Sequence, residues 1–309
     1  MRISFVFFFF LMAGFSKAQD FSSISLMPET LAENADAVVR LDEMEVDIAA
    51  LDKITFRLRR VITVLNASGN QHVNAYVGYN NSRKIKELQA VVYNSLGKEI
   101  KKIKEKDFRD VSAVSGGTLY SDSRVKYLEY VPVEYPYTVD FTYEVSGQNT
   151  ALLPTWYFVD DYRVGVQMSR LKLTYASPEL QPDCRGVQLQ QLDVKKTETA
   201  NSVLYVAEDI PPMEEENLSP GRAQLMPHLL TRMIHFYYEG YDGSTSDWNE
   251  MGRWINNNLL QGQDELSEST KARIRALVNT TDDPREKAKI VYKYVQDNTR
   301  YISVQVGIG

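Results

Sequence analysis

Cys184 is the one cysteine in a chain of 309 residues. It is therefore the only side chain able to supply a thiolate nucleophile, and it can close no disulfide within the chain. It lies in Ser177-Pro178-Glu179-Leu180-Gln181-Pro182-Asp183-Cys184-Arg185-Gly186, a stretch bracketed by prolines. Arg185 could lower the pKa of a neighbouring thiol. A cysteine nucleophile also needs a base, and His72, His228 and His235 stand in no sequence context that marks one. Cys184 reads as a free loop or edge cysteine.

The other stretches with chemical potential have structural readings as well. Lys98, Lys101, Lys102, Lys104 and Lys106 could hold an anionic glycan or a phosphate, but Glu99, Glu105 and Asp107 are interleaved with them. That mixture fits a solvated strand or a sheet edge protected by lysine. Asp160-Asp161 and Asp282-Asp283 lack the repeated oxygen ligands and the glycine of a calcium loop. Trp156-Tyr157-Phe158 could form an aromatic platform for a sugar, yet consecutive strand residues point to opposite faces, so one face of the trio belongs to the core. No phosphate-binding glycine motif, zinc-ligand spacing or nucleophile elbow occurs. The sequence thus offers no catalytic, cofactor-binding or metal-binding set, and no cofactor is expected.

The elements that would position such groups are mainly strands. Ala37-Val38-Val39 is followed by the alternating Met44 to Ile48 stretch. From Ile54 to Leu65, Phe56, Leu58, Ile62 and Val64 share one parity, with Thr55, Arg57, Arg59 and Thr63 opposite. Asn66 to Asn70 is a turn. Val73–Tyr79 and Ile85–Tyr93 continue the strand pattern, with Ser95-Leu96-Gly97-Lys98 as a hairpin connection. Val125–Tyr130, Val139–Val145, Trp156–Val159, Val164–Tyr175, Val187–Leu192 and Val203–Val206 extend the series. Many short strands without intervening helices predict an antiparallel β-sandwich.

Pro211 to Gly221 is acidic and proline-marked, the composition of a loop or linker. Leu229–Tyr238 reads as a last strand returning to the sandwich, which places the domain boundary after it. Trp248, Met251, Ile255 and Leu259 then form a helical stripe capped by Asp247, and a second helix is predicted from about Ser267 to Val278. A third runs from Pro284 to about Asn298 behind Asp282-Asp283, with Ala288, Val291, Tyr292 and Val295 as its stripe to be buried. From Tyr301 to Ile308 the period changes to two, predicting a half-buried strand.

Composition sets outer bounds. The chain is 43% hydrophobic and 25% charged, ordinary for a folded protein and long enough for two domains. A formal charge of -6 argues against a general nucleic-acid or anionic-membrane binder. Met1–Ala18 reads as a secretory signal, with Arg2 as its basic region, the apolar run Val6–Met12, and cleavage before Gln19. The run is shorter than the roughly 20 residues of a spanning helix. The expectation is export to the periplasm or the cell exterior, with no transmembrane segment after cleavage.

The run Tyr292-Lys293-Tyr294-Val295-Gln296-Asp297-Asn298-Thr299-Arg300-Tyr301-Ile302-Ser303-Val304-Gln305-Val306-Gly307-Ile308-Gly309 resembles the beginning of the catalytic core in bacterial exported transglutaminase-like proteins. Ala35 to Val39, the strand from Ile54 to Leu65, and Tyr143-Glu144 ahead of Leu153-Pro154-Thr155-Trp156-Tyr157-Phe158 resemble the domain of unknown function that precedes that core. The resemblance implies a nucleophilic cysteine at a helix start, with a histidine and an aspartate. None of those three positions lies within residues 1–309.

The organisation expected is a signal peptide (1–18), an N-terminal segment (19–34), a β-sandwich domain of unknown function (35–243, acidic loop 211–221) and an incomplete transglutaminase-like domain (244–309). Two functional readings follow. In the first, this is the non-catalytic N-terminal part of an exported transglutaminase-like protein acting on peptide or envelope amide bonds. In the second, it is a self-contained exported module binding protein or glycan. Protein, peptide or cell-envelope material are the partner classes, and nucleic acid is not.

Overall fold

Alternation of apolar and charged residues along two long strands builds the centre of the molecule. The computed structural model describes residues 21–114, 118–159 and 161–306. The predicted signal sequence, Asp160 and the last residues of the predicted C-terminal strand lie outside them. Strand β1 (Ala37–Ala50) pairs antiparallel with β2 (Lys53–Val64), setting Met44 against Leu58 and Val46 against Phe56. β3 (Tyr76–Tyr79) precedes the hairpin of β4 (Arg83–Tyr93) and β5 (Glu99–Lys104). Gly97 turns that hairpin with φ of +78°, a conformation glycine adopts without a steric penalty.

Three short strands follow, β6 (Arg109–Ser112), β7 (Thr118–Ser121) and β8 (Arg124–Tyr127), then the long β9 (Tyr137–Gly147). β10 (Trp156–Tyr157) and β11 (Val164–Tyr175) lead to β12 (Asp183–Val187), β13 (Lys195–Thr199) and β14 (Ser202–Ile210). β15 (His228–Arg232), β16 (His235–Tyr238) and β17 (Tyr241–Ser244) complete this part of the chain.

Eight strands form one sheet in the order β13-β14-β11-β1-β2-β9-β4-β5. The protein is mainly β and layered, as the sequence predicts, with one topological correction: β1 and β11 run parallel, Ala37 opposite Val164 and Val46 opposite Leu173, so the sheet is mixed. A parallel pair needs a long crossover, which the intervening strands supply and which local patterning does not reveal. Two three-stranded sheets, β10-β15-β12 and β3-β8-β6, accompany it. A single cluster joins Val46, Phe56, Phe141 and Leu171 of the large sheet to Val77, Trp156, Leu229 and Phe236 of the smaller elements.

The opposite face of the large sheet is partly covered by the segment before β1. Phe21 packs with Leu41 and Val61, and Leu31, from the single helical turn α1 (Glu29–Ala32), packs with Ala35 and Val38. Gly165 permits that approach, because a Cβ there would stand 2.3 Å from the Leu31 carbonyl oxygen. Elsewhere this face carries ion pairs, Arg57 with Glu144 at 2.6 Å and Arg59 with Asp140 at 2.9 Å.

Some predicted elements differ in extent. The strand expected over Val187–Leu192 ends at Val187, and a 3-10 turn at Leu189–Gln191 follows a left-handed Gln188. The predicted last strand, Leu229–Tyr238, is two strands separated at Met233-Ile234. After the short α2 (Arg222–Leu225) and the β15–β17 strands come α3 (Trp248–Ile255), α4 (Glu268–Val278) and α5 (Pro284–Asn298). Asp247, Ser267 and Asp283 cap them by accepting from the backbone N–H groups of Glu250, Thr270 and Arg285. β18 (Ser303–Gln305) is shorter than the predicted strand and pairs in parallel with β7. Among the described residues no helix is long and apolar enough to cross a membrane.

Candidate functional site

Cys184 occupies β12, the edge strand of its sheet, opposite Thr231 of β15. Its thiol is half-buried, and burial pushes its pKa up, with the Tyr205 hydroxyl and the Pro182 carbonyl near it. Burial that raises a thiol pKa works against the thiolate a nucleophile needs. The histidines are engaged elsewhere or exposed. His228 bonds the Met226 carbonyl through Nδ1 at 2.8 Å and stacks on Tyr157 at 4.7 Å, and His235 is exposed on β16.

His72 lies buried at the end of the 3-10 turn Ala67–His72, with Nδ1 3.3 Å from Asp161. Asp161 also takes Arg222 at 2.8 Å. The His72 carbonyl accepts from Arg60, which is itself paired with Asp42 at 2.5 Å. Beside them Asp36 accepts from Arg163 at 2.8 Å and from Asn66 at 2.9 Å. The Arg163 hydrogen bond holds the Asp36 carboxyl below its ordinary pKa, against burial, which raises it. The groups nearest the His72 side chain are the Asp161 carboxylate and the Gln71 amide, 3.4 Å from Nε2, so this network ties loops to the sheet and places no hydroxyl or thiol against the ring.

Sequence patterning missed these buried charges. Arg60 sits at the same parity as Phe56, Leu58, Ile62 and Val64, and a guanidinium inside an apolar parity set is the available signal for a buried ion pair. Arg40 carries a similar signal, closing an apolar run. A register shift between Val39 and Leu41 marks a bulge that lets it donate to Gln167 at 2.6 Å and to the Ser23 carbonyl at 3.0 Å.

The remaining sequence candidates take structural positions. Of the lysine-rich run, Lys101, Lys102 and Lys104 lie on β5, one edge of the large sheet, with Lys101 over the Tyr130 ring at 5.6 Å. Trp156 and Phe158 are core residues, and the Trp156 indole donates to Ser169 at 3.1 Å. Asp283 is a helix cap.

The helical region presents exposed apolar surface. α3 is fixed to β16–β17 by Trp254, whose indole donates to the Asp242 carbonyl and whose ring meets Phe236 edge-on at 5.1 Å. Trp248, on the same helix, is 89% exposed. On α5 the stripe expected to be buried lies in the open: Ala288, Tyr292 and Val295 are exposed and Val291 is half-buried. Ile290 and Tyr294 instead line a cleft with Leu277 of α4, the Arg273 guanidinium lying over the Tyr294 ring. Tyr301, Ile302, Val304 and Val306 continue the exposed apolar surface. Helices with no buried residue and apolar side chains in water present a surface suited to a partner.

Fold and surface together define a mainly β, layered protein with an appended helical segment. The sequence profile of the family described as "Domain of Unknown Function with solved-structure structure" (DUF3857) matches residues 52–214, and the chain belongs to that family. No curated protein matches it. Among solved structures, a Parabacteroides distasonis protein described as "a putative protease" superposes with a TM-score of 0.58 at 12% identity, covering 85% of this chain and 50% of that one. This chain therefore spans about half the length of that protein, and the likeness is one of fold. A Legionella pneumophila "putative nutrient binding protein" (TM-score 0.28, 9% identity, 87% and 88% coverage) and a Deinococcus radiodurans M1 zinc metallopeptidase (0.28, 9%, 79% and 53%) also match. At those scores they carry no argument.

Proposed function

We propose that this chain is the non-catalytic N-terminal part of an exported transglutaminase-like protein, in which the β-sandwich supports a cysteine active site acting on peptide or cell-envelope amide bonds. The observation behind this reading is the uncovered apolar stripe of α5 and β18, in the segment whose sequence resembles the beginning of a transglutaminase-like core. Such a stripe suits packing against the sheet and cysteine helix of that core. The fold likeness to half of a larger protein described as a putative protease is in keeping with an amide-directed parent. Cys184 takes no part: it is half-buried on an edge strand, and burial pushes its thiol pKa up.

The test compares residues 19–309 with a polypeptide in which a cysteine-bearing transglutaminase-like domain follows Gly309. Thiol-dependent hydrolysis or transfer at a peptide amide is expected only in the longer protein. Equal activity in both sinks the proposal.

A further inference from the structure

We propose that the cleft between the sandwich and α3 binds a neutral oligosaccharide, with the Trp248 indole as the platform on which a pyranose ring stacks. This inference does not depend on the transglutaminase reading. The cleft, about 460 Å³ in volume, is lined by buried Met233, half-buried Ala151 and Met251, and exposed Arg232, Asp247 and Trp248. That volume falls within the roughly 300–1,000 Å³ of small-molecule sites. Its floor is apolar and its rim is polar.

Helical spacing places the indole over the cleft. Met251 and Trp254 pack on the core, and the Trp254 indole donates to the Asp242 carbonyl at 2.8 Å, which fixes α3 against β16–β17. Trp248 lies one turn before Met251 and so shares its face of the helix. It stands beyond the edge of the core, however, and is 89% exposed. A ligand on that indole would cover an aromatic face that the fold itself leaves open.

The cleft is built before any ligand arrives. The Thr245 N–H donates to the Ile234 carbonyl at 2.8 Å, the Thr245 hydroxyl to the Met233 carbonyl at 2.9 Å, and Arg232 Nη1 to the Thr245 carbonyl at 3.4 Å. Asp247 Oδ1 accepts from the Glu250 N–H at 2.8 Å, and the Ser244 and Ser246 hydroxyls donate to the Glu250 carboxylate. Little freedom remains to be lost on binding.

The mixed charge of the rim selects the ligand. Arg232 is already paired through Nε with Asp183 at 2.9 Å, which removes most of its pull on an anion, while its guanidinium opposes a cation on the indole face. These bonds leave Arg232 Nη2 as a donor and Asp247 Oδ2 as an acceptor. Sugar hydroxyls, which both donate and accept, can use the two together. A gluco-configured pyranose also offers a face of axial C–H groups to the indole. A wholly apolar occupant would strip water from the polar rim without replacing its hydrogen bonds. Trp156-Tyr157-Phe158 cannot be the platform, since Trp156 and Phe158 are core residues.

The test titrates the full chain with cellotriose and with chitotriose, both built of β-linked gluco-configured rings, and follows acrylamide quenching of tryptophan emission. Trp156 is buried and Trp254 is packed on the core, so Trp248 is the indole that acrylamide meets most. At least one saccharide should protect it saturably and shift its emission to the blue. By calorimetry, Trp248→Ala should weaken binding at least about tenfold. Trp248→Phe, which keeps a smaller aromatic face, should weaken it less, and Tyr301→Ala, at an 87% exposed position outside the cleft, should leave it unchanged. Both positions are exposed, so the fold should be retained in all three variants. Saturable binding of neither saccharide, binding that survives intact in Trp248→Ala, or protection by trialanine in place of the saccharides overturns the proposal.

Discussion

The sandwich and the helical region are both written in amphipathic elements, yet only one of them buries what it presents. In the large sheet the apolar parity of β1, β2, β9 and β11 meets a second layer, and Val46, Ile54, Phe141 and Leu171 are almost wholly withdrawn from water. In α3–α5 the caps are correct and the stripes are present, but no residue of these helices is buried. Capping and propensity contribute about 1 kcal/mol each, whereas burying a large apolar side chain contributes about 1.5–3 kcal/mol. Good local signals therefore define a helix without making it part of a core.

Amide exchange should show the largest difference between the two regions. Amides of β1, β2, β9 and β11 should exchange roughly a thousandfold or more slowly than those of α4 and α5, because local opening there exposes almost no apolar surface. Comparable protection in α4–α5 and the sheet would break the comparison.

Truncations at matched aromatic positions should follow. Phe141→Ala, in contact with Phe108 and Tyr143, should cost about 3–5 kcal/mol in urea unfolding. Tyr292→Ser, exposed on α5, should change stability by less than about 0.5 kcal/mol. A large loss at Tyr292 would mean that its stripe is covered in solution.

The smallest effect concerns charge. Asp36 is depressed in pKa by Arg163, so its stabilising contribution is complete above the ordinary carboxylate range and is lost as pH falls from that range through the lower folded value. Asp36→Asn should therefore lower the urea midpoint at pH 7 and have progressively less effect as the pH drops below about 4. The exposed pairs Lys271–Glu268, Lys289–Glu286 and Lys293–Asp297 on α4 and α5 should instead respond to salt. A midpoint difference at Asp36 that is constant from pH 7 to pH 3 would remove the ion pair from the account.

Much of this was legible in advance where the cause is local. Period-two alternation located β1, β2, β9 and β11, and Asp247 and Asp283 marked helix starts, because strand faces and caps depend on neighbours within a few residues. The lysines of β5 correctly signalled a protected edge. Arg60 and Asp42 were not read as a pair, since they meet only when β2 lies beside β1 and both are enclosed. The α5 stripe was expected to be buried, as its pattern allows; which face a helix turns inward depends on what stands next to it.

The sequence alone determined the mainly β character, the positions of the helices and a single thiol with no second cysteine to pair with, all consequences of residue type and spacing. Only the tertiary structure decided that β1 runs parallel to β11, that β18 joins β7, and that Tyr292 faces water while Tyr294 faces α4. These depend on contacts between residues far apart in the chain, where the free energy of burial rather than local preference selects the arrangement.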